Sequence, residues 1–534
     1  MPFMRHVFYP LYVKPQTTII TVTMNKHNFR HIHRLATLFL CLLLLNVATT
    51  VSADEWQKPR IIITCDPECD DNNSLIHFLL RSNEFDIDGI VYASSRYHWK
   101  GNGTAECRHV TESSLIIKDF GYVNTWRWSE GFIETIVDAY ASVYDNLKVH
   151  DANYPDPDYL KGVIRYGNIE FEGDYSADTP GSDLIKECIL DDNPGPLYVT
   201  VWGGASTVAR ALKSIEEDYS GTVNWEDVKT KVSNKLVICM SLDQDGSYPC
   251  YIKPVWPDVK ILKSGWTDLS ISYYPQLFYS EDVAPYYYPA WMSQNISSKG
   301  PLGSLTRVWG DGKQFVPGDI CDCFGEADKT QAELKDMGYA DCYFDTEPKG
   351  SFLGEGDTYS FLNLIDNGLR ANEDITYGGW AGRDLSKTNE ITADFNPLNK
   401  DNADPAYEDF HFIDAYFNSL ATRYAWSVTP NYADANHYPV ISAPLSLSTK
   451  AGKTISIKAT VTDPDGNDVA LKWQQFKVGS YDGDITLTNA NKSTVKLTVP
   501  ADAQPGQTIH LILSATDNGS LPLTRYHRVV ITVI

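Results

Sequence analysis

The amino-acid sequence predicts an α/β domain built on an open, mostly parallel sheet, followed by a smaller all-β sandwich. In the larger part of the chain, short β-branched runs alternate with amphipathic helical segments, which is typical of a parallel sheet covered by helices on both faces. After residue 436 this alternation stops, and short runs of alternating apolar and polar residues follow. The length of 534 residues also exceeds what one hydrophobic core usually organises. We therefore expect at least two domains.

The N-terminal segment differs in composition from the rest of the chain. It contains basic residues but no Asp or Glu, and an apolar run over 35–48 precedes the small residues 51–53. This order is typical of a secretory signal peptide, which we predict over residues 1–53, with cleavage before Asp54 and with Met24 as an alternative start. The apolar run is shorter than the roughly 20 residues that span a bilayer. We therefore expect a mature chain without a transmembrane segment that is secreted or periplasmic.

The chain is strongly acidic. Its net charge is −24, and removal of the predicted signal peptide, with its five basic residues, makes it −29. This charge argues against a nucleic-acid polymer as partner, because affinity for phosphate backbones comes mainly from clustered Lys and Arg. Export would permit disulfide bonds, and Cys321 or Cys323 could pair with Cys342 or Cys250. Their spacing does not fit the paired C-x-x-C elements of a zinc site.

The predicted elements of the α/β domain, residues 54–436, follow in order along the chain. The first strand ends at an acidic turn, after which helical periodicity begins. We predict strands over 59–64, 86–93, 197–202 and 235–240, and helices over 131–140, 206–212 and 74–81. Between about residues 266 and 320 the regular pattern weakens, which indicates long loops or lid segments. Helical spacing returns within 350–370 and again over 410–426, where the domain is expected to end.

Residues 437–534 are predicted to form a β-sandwich of immunoglobulin-like type. Short alternating runs are separated by turn sequences, and they cover 455–462, 469–476, 493–499, 508–515 and 528–533. Trp473 falls within one of these runs, as expected of a buried tryptophan in the core of such a sandwich. We therefore interpret Trp473 as structural.

Four carboxylates crowd the end of the first predicted strand, at Asp66, Glu68, Asp70 and Asp71. Placing like charges together at the end of a buried strand is costly unless a cation or bound protons compensate. Calcium is the natural candidate, because it takes about 6–8 oxygen ligands. The alternative is that the acids favour the N-terminus of the following helix. The carboxyl ends of parallel strands are also where such sheets bind ligands, and Gly203–Ser206 follows another of these strands.

Further candidate residues border the same predicted edge of the sheet. Arg96, His98 and Trp99 follow the second strand and are candidate substrate contacts, although a histidine is as often structural. The segment 243–246 forms either part of the rim or, as the sequence favours, a surface turn. An aromatic cluster could stack on sugar rings or only pack on itself; it consists of Trp266, Tyr273, Tyr274, Tyr286, Tyr287, Tyr288 and Trp291. The chain has no G-x-S-x-G nucleophile motif and no phosphate-binding loop.

The acidic run Thr64-Cys-Asp-Pro-Glu-Cys-Asp-Asp71 resembles the D-x-D-P-x-x-D-D signature of the nucleoside hydrolase superfamily. More closely, the chain is similar to secreted nucleoside hydrolase-like proteins that are described as cellulose-binding and carry a C-terminal β-sandwich. Supporting stretches are 78–95, 202–206, 300–303, 354–358 and 401–439. The resemblance implies an open sheet of nucleoside hydrolase-like type, bound Ca²⁺, and a sugar-containing small molecule or polysaccharide as partner.

The resemblance also implies roles for single residues. Asp66 would bind calcium and act as general base on a metal-bound water, and Asp70 would bind sugar hydroxyls. The other metal ligands would be Asp71, the main-chain carbonyl of Ser206, and Asp357. We place the following residues in the substrate-binding set: Asp70, Glu68, Asn72, Arg96, His98 and Trp99.

Three departures from the superfamily pattern leave more than one function open. Thr64 replaces the leading Asp of the signature, Glu68 replaces a Gly, and Gly356 stands where many nucleoside hydrolases have a His before the last carboxylate. The first hypothesis is a calcium-dependent hydrolase of N-glycosyl or related glycosyl bonds, acting on a nucleoside-like or carbohydrate substrate. The second is a non-catalytic protein that binds carbohydrate on a hydrolase scaffold. The third assigns binding to the sandwich and catalysis to the α/β domain.

Overall fold

The computed structural model describes residues 57–103, 124–240, 243–263, 271–273, 284–339, 347–374, 376–383 and 410–534. The predicted signal peptide lies outside these residues. Within them, no helix combines the length and the apolar character needed to cross a membrane.

The α/β part is built on one parallel six-stranded sheet with the strand order β3-β2-β1-β4-β5-β6. The strands are β1 Arg60–Cys65, β2 Asp86–Tyr92, β3 Ile164–Tyr166, β4 Leu197–Val201, β5 Leu236–Met240 and β6 Lys260–Lys263. Along β1, Ile61 and Ile63 pack into the core on one face of the sheet, whereas Ile62 packs into the core on the other. Both faces of the sheet are therefore covered, as the continuous apolar runs predict.

Helices surround this sheet. They are α1 Cys69–Leu80, α2 Phe132–His150, α3 Pro157–Gly162, α4 Pro180–Leu190, α5 Ser206–Tyr219, α6 Trp225–Lys235, α7 Lys253–Val255, α8 Pro289–Met292, α9 Gly300–Leu305, α10 Gln331–Asp336, α11 Tyr359–Leu362 and α12 Ile413–Val428. Tighter or wider helical turns cover Ser82–Glu84, Tyr248–Ile252, Ala284–Tyr287, Ser293–Ser297, Gly356–Thr358 and Tyr432–Asp434. The helical spacing predicted within 350–370 produces only the turn at Gly356–Thr358 and the four-residue α11, because the preceding residues form a glycine-rich loop.

The C-terminal part is a sandwich of a four-stranded sheet, β11-β14-β15-β8, and a three-stranded sheet, β12-β13-β9, with β7 and β10 as a separate pair. The strands are β7 Val440–Ser442, β8 Ser446–Thr449, β9 Thr454–Lys458, β10 Thr460–Thr462, β11 Val469–Phe476, β12 Leu487–Thr488, β13 Thr494–Thr498, β14 Thr508–Asp517 and β15 Thr524–Val533. Residues of both sheets share one core, which includes Trp473. The predicted fold class and the structural role of Trp473 are confirmed.

The sandwich packs directly on the α/β part, and the described residues belong to one compact unit. Phe410 contacts Phe476 and Phe412 contacts Tyr526, with ring centroids 4.7 Å and 5.5 Å apart. All four rings belong to the largest hydrophobic core of the protein. The boundary at residue 436 stays a prediction.

One disulfide involves Cys323, as the spacing of the cysteines allowed. Cys250 is a free, exposed thiol, so it is not the partner of Cys323. Cys342 lies outside the described residues.

Candidate functional site

The candidate site lies where the chain order of the sheet reverses. β1 is flanked by β2 on one side and β4 on the other, so the loops that follow β1 and β4 diverge and leave a crevice at their carboxyl ends. Asp66 comes directly after β1, and Gly203–Ser206 leads from β4 into α5. The sequence placed both segments at this edge of the sheet, and the structure confirms that placement.

Asp66 is fully buried, and its two carboxylate oxygens have different surroundings. Oδ2 accepts a hydrogen bond of 2.6 Å from the Ser95 hydroxyl and lies 2.7 Å from Nδ1 of His98. Oδ1 has no hydrogen-bond partner among the described residues. A Cβ at Gly203 would lie 2.7 Å from Oδ1, so only glycine allows this close approach. One oxygen of Asp66 is therefore fixed by two contacts, and the other is buried without a hydrogen-bond partner among the described residues.

The other three acids of the motif belong to the start of α1. One carboxylate oxygen from each of Glu68, Asp70 and Asp71 lies within 4.8 Å of the other two. A second group, within the same distance, combines one oxygen each from Asp66 and Glu68 with a ring nitrogen of His98. Glu68 occupies the N-cap position, but its side chain caps no backbone N–H. Asp71 Oδ1 accepts the Asp66 N–H at 2.9 Å. Helix capping therefore does not explain Glu68, which favours the cation hypothesis over the capping alternative.

Burial and mutual repulsion dominate the electrostatics of this group. Burial first, and then neighbouring carboxylates, raise the pKa of Glu68, Asp71 and Asp357 well above the usual range. The same causes raise the pKa of Asp70 to about 6, although a hydrogen bond from Tyr273 opposes the shift. Asp71 and Asp357 are also hydrogen-bonded to each other. Such a group is stable only with bound protons or a cation, and the unpartnered Asp66 Oδ1 offers an oxygen to a cation.

Asp357 and Ser206 reach the site from separate segments. Asp357 lies in the turn Gly356–Thr358 and is buried next to Asp71. Ser206 is the first residue of α5, and its N–H donates to Asp245 Oδ2 at 2.9 Å. Its hydroxyl has no partner among the described residues. Metal binding by Asp66, Asp71, Asp357 and the Ser206 carbonyl stays a prediction.

The loop 243–246 is not a surface turn. Asp245 is fully buried and accepts hydrogen bonds from the backbone of Ser206 and Ser247. The prediction of a surface turn was wrong, because the local sequence gives no sign of the loop after β4 that covers Asp245.

Of the residues predicted to contact substrate, only some lie next to Asp66. His98 lies in the site, and burial lowers its pKa. Arg96 binds the carbonyls of Asp243 and Gln244, Asn72 donates to the Leu305 carbonyl at 3.0 Å, and Trp99 packs in a small core with Phe171. The structure therefore brings His98 next to Asp66, and it engages the other three with protein groups. Substrate binding by these residues stays a prediction.

Most described members of the aromatic cluster pack on protein groups. Tyr286, Tyr287 and Trp291 surround Phe417, whereas Tyr288 is half exposed. Tyr273 differs, because its hydroxyl donates to Asp70 Oδ1 at 2.8 Å and its ring stacks on Phe324. Trp266 and Tyr274 lie outside the described residues.

Arg127 is a site residue that the sequence did not reveal. Its Nε donates to Asp319 Oδ2 at 2.7 Å, and the positive charge opposes the rise in the pKa of Glu68. It also contributes to the lowered pKa of His98. Arg127 and Asp319 come from loops that are far apart in sequence, so no spacing or periodicity marked them.

Gly356 closes the site beside Asp70. A Cβ at this position would lie 2.8 Å from Asp70 Oδ2, which is closer than ordinary packing allows. Glycine in place of the His of many nucleoside hydrolases therefore fits the close approach of Asp70 to this position. A larger side chain at 356 would require Asp70 to move.

Comparisons with known proteins agree with this architecture. The family model described as cellulose-binding Sde182, nucleoside hydrolase-like domain, matches residues 60–383, and the model described as cellulose-binding protein Sde0182, C-terminal domain, matches residues 454–533. No curated protein matches the chain.

Solved structures add support for the fold. A nucleoside hydrolase-related hypothetical protein from Saccharophagus degradans, associated with carbohydrate metabolism, is 23% identical with a TM-score of 0.66, covering 90% of this chain and 100% of that one. The titin M3 domain is 16% identical, and the match covers 18% of this chain and 95% of the titin domain. Its TM-score of 0.14 is too low to support a conclusion about the fold.

Proposed function

The chain belongs to the family of cellulose-binding, nucleoside hydrolase-like proteins, and we propose that it is a calcium-dependent hydrolase of N-glycosyl or related glycosyl bonds. The proposed substrate is a carbohydrate or a nucleoside-like molecule. The observation that carries the proposal is the geometry of Asp66 among three further carboxylates. Its Oδ2 is held by Ser95 and His98, while its Oδ1 is buried and unpartnered among the described residues.

The residues of this chain suit the work of such a hydrolase. Asp66 Oδ1 is placed to accept a proton from an attacking water, because the contacts of Oδ2 fix the orientation of the carboxylate. Asp70, held by Tyr273, is placed to accept hydrogen bonds from sugar hydroxyls. The negative potential of Asp66, Glu68, Asp70 and Asp357 would stabilise the positive charge that develops on a sugar ring as a glycosyl bond breaks.

Calcium fits the donor set of the site. The residues proposed to hold it are Asp66, Asp71, Asp357 and the Ser206 carbonyl, all oxygen donors of the kind calcium prefers. When bound, the ion would offset carboxylate repulsion and lower the pKa of water at the site.

The proposal is tested by measuring product release from a panel of nucleosides, aryl glycosides and oligosaccharides, with the full chain in calcium and then in excess chelator. We expect turnover of at least one class that stops on chelation and returns when calcium is restored. Turnover that persists in chelator would overturn the calcium dependence.

The second candidate function is non-catalytic binding of carbohydrate. Gly356 favours it, because glycine offers no side chain at this position to assist a leaving group, and the matching family models are both described as cellulose-binding. A pull-down on insoluble cellulose decides whether this chain binds that polymer. Binding by a chain that turns over no member of the panel would favour this second function.

A further inference from the structure

A second cavity lies at the opposite edge of the sheet from the carboxylate site. Its walls come from residues just before β1 and β2, from the segment after α2, and from residues 366–367 beside the sandwich. Its volume is about 360 Å³, within the roughly 300–1,000 Å³ of small-molecule sites. The 12-residue helix α1 separates the two sites, and at about 1.5 Å per residue it spans about 18 Å. The cavity therefore cannot be part of the site around Asp66.

The carboxylates that line this cavity are already hydrogen-bonded by the protein. Glu84 accepts from Arg81 and Arg423, and its second oxygen accepts the Asp366 N–H at 2.9 Å. Asp366 is paired with Arg525. Asp151, a third lining acid, accepts from the Asn83 amide at 2.8 Å and from Asn153. These three carboxylates therefore have few lone pairs left to accept hydrogen bonds from a ligand.

One lining cation keeps donor capacity. The Lys58 ammonium contacts the Asn153 carbonyl at the long distance of 3.4 Å, and an ammonium has three donors. Arg423 is almost fully buried and contributes positive charge, while its guanidinium is hydrogen-bonded to protein groups. With Arg81 and Arg525, the lining carries four cations against three carboxylates, in a chain whose net charge is −24. The cavity is therefore suited to a ligand that supplies acceptors and negative charge.

The aromatic side chains in the wall support recognition of charge rather than ring stacking. The Arg81 guanidinium lies over the Trp380 ring, and the Arg423 guanidinium lies 4.5 Å from the Trp426 ring centroid. These faces are therefore occupied by protein cations. The remaining wall includes the amide of Asn367 and the hydroxyl of Tyr438, groups that hydrogen-bond sugar hydroxyls.

We propose that this cavity binds a small sugar acid, with its carboxylate held by the Lys58 ammonium and attracted by the buried charge of Arg423. The proposal is independent of hydrolysis at Asp66. It requires a ligand with a carboxylate for the spare donors and hydroxyls for the polar wall, and D-glucuronate is the simplest probe with both.

The test is a calorimetric titration of the full chain with D-glucuronate and with D-glucose, which carries a hydroxymethyl group where glucuronate has its carboxylate. We expect glucuronate to bind at least about tenfold more tightly than glucose, because hydrogen bonds between charged groups are the strong ones. Lys58→Met should weaken glucuronate binding about tenfold or more. Lys453→Met, a change at an exposed lysine of the sandwich, should leave it unchanged.

Asp66→Asn keeps the two proposals separate, since it should leave glucuronate binding intact whatever it does to hydrolysis. Equal affinity for glucose and glucuronate, absence of glucuronate binding, or binding that is insensitive to Lys58→Met would each overturn the proposal.

Discussion

The two oxygens of the Asp66 carboxylate differ in their contacts with the protein. The hydroxyl of Ser95 and the ring of His98 meet at Oδ2, while Oδ1 faces Gly203, where any side chain would come within 2.7 Å of it. A carboxylate held in this way has one orientation, which is what a base or a metal ligand requires. The chemistry of the site therefore depends on the small residues around Asp66 as much as on the acids.

Gly356→Ala tests a contact of this kind. The added methyl group would meet Asp70 Oδ2 at 2.8 Å, so Asp70 must move away from the position that Tyr273 now fixes. We expect KM for the substrate, or Kd for a bound sugar, to rise about tenfold, since hydrogen bonds to a charged group contribute roughly 1.5–3 kcal/mol. Gly162→Ala is the control, because a Cβ there meets nothing within 4 Å. Equal effects of the two changes would contradict the role given to Asp70.

The acids of the site could be predicted from the sequence because four of them are contiguous with the end of one strand. Arg127 and Asp319 could not be predicted, and neither could the contact of Tyr273 with Asp70, since each comes from an irregular segment whose path depends on tertiary packing. Asp245 was misjudged for the same reason. A loop buried under a neighbouring loop has the same composition as one on the surface.

Among the secondary-structure elements, helix α1 begins earlier than predicted and includes the end of the acidic motif. The sequence predicted a helix over 74–81, whereas α1 begins at Cys69 and contains Asp70 and Asp71 in its first turn. The apolar periodicity used for prediction starts only where the helix meets the core, but Asp and Asn are favoured in the first turn. Strands β3 and β6 are too short, at three and four residues, for a periodic signal.

Strands β14 and β15 carry two buried polar residues, His510 and Arg528, that should make the stability of the fold depend on pH. Burial, and then the neighbouring Arg528, lower the pKa of His510 from 6.5 to about 3. Arg528 donates to His510 Nδ1 at 3.1 Å, so the folded protein holds His510 neutral. Below pH 6.5 the unfolded chain gains a proton that the folded chain does not, so this residue destabilises the fold by up to about 1.4 kcal/mol per pH unit.

His510→Gln should reduce that dependence, because its amide oxygen can still accept from Arg528 but cannot be protonated. The measurement is the free energy of unfolding in urea at about pH 7 and about pH 5. Four other histidines with lowered pKa values also contribute to the wild-type slope, so His510→Gln should remove only part of it; they are His77, His98, His150 and His527. The exposed His411→Gln is the control, and an unchanged slope in His510→Gln would contradict the assignment.

At the scale of the whole molecule, the sandwich and the α/β part share a hydrophobic core. Phe476 and Tyr526 of the sandwich pack on Phe410 and Phe412, and the backbone N–H groups of Tyr526 and Arg528 donate to the carbonyls of residues 367 and 368. Periodicity predicted both folds, but it could not show this contact, because an apolar residue facing another domain looks like any other core residue.

The shared core predicts that the two parts unfold together. Separation would expose the four aromatic rings and break the hydrogen bonds from Arg528 to the carbonyls of Leu369 and Gly378, and hydrogen bonds of a charged group contribute roughly 1.5–3 kcal/mol each. We expect one calorimetric transition, in which the calorimetric and van't Hoff enthalpies agree. Two well-separated transitions would show that the sandwich is an independent unit.

Hydrolysis at Asp66 is tested by measuring kcat for wild type and Asp66→Asn, with calcium binding determined on the same samples. We expect kcat to fall about 10²–10⁴-fold, the usual contribution of a general base. Asp183→Asn, at an exposed acid in α4, should retain wild-type kcat. Equal turnover by wild type and Asp66→Asn would contradict the role of Asp66 as base, and a wild-type protein that binds calcium but turns over no glycosyl substrate would contradict hydrolysis.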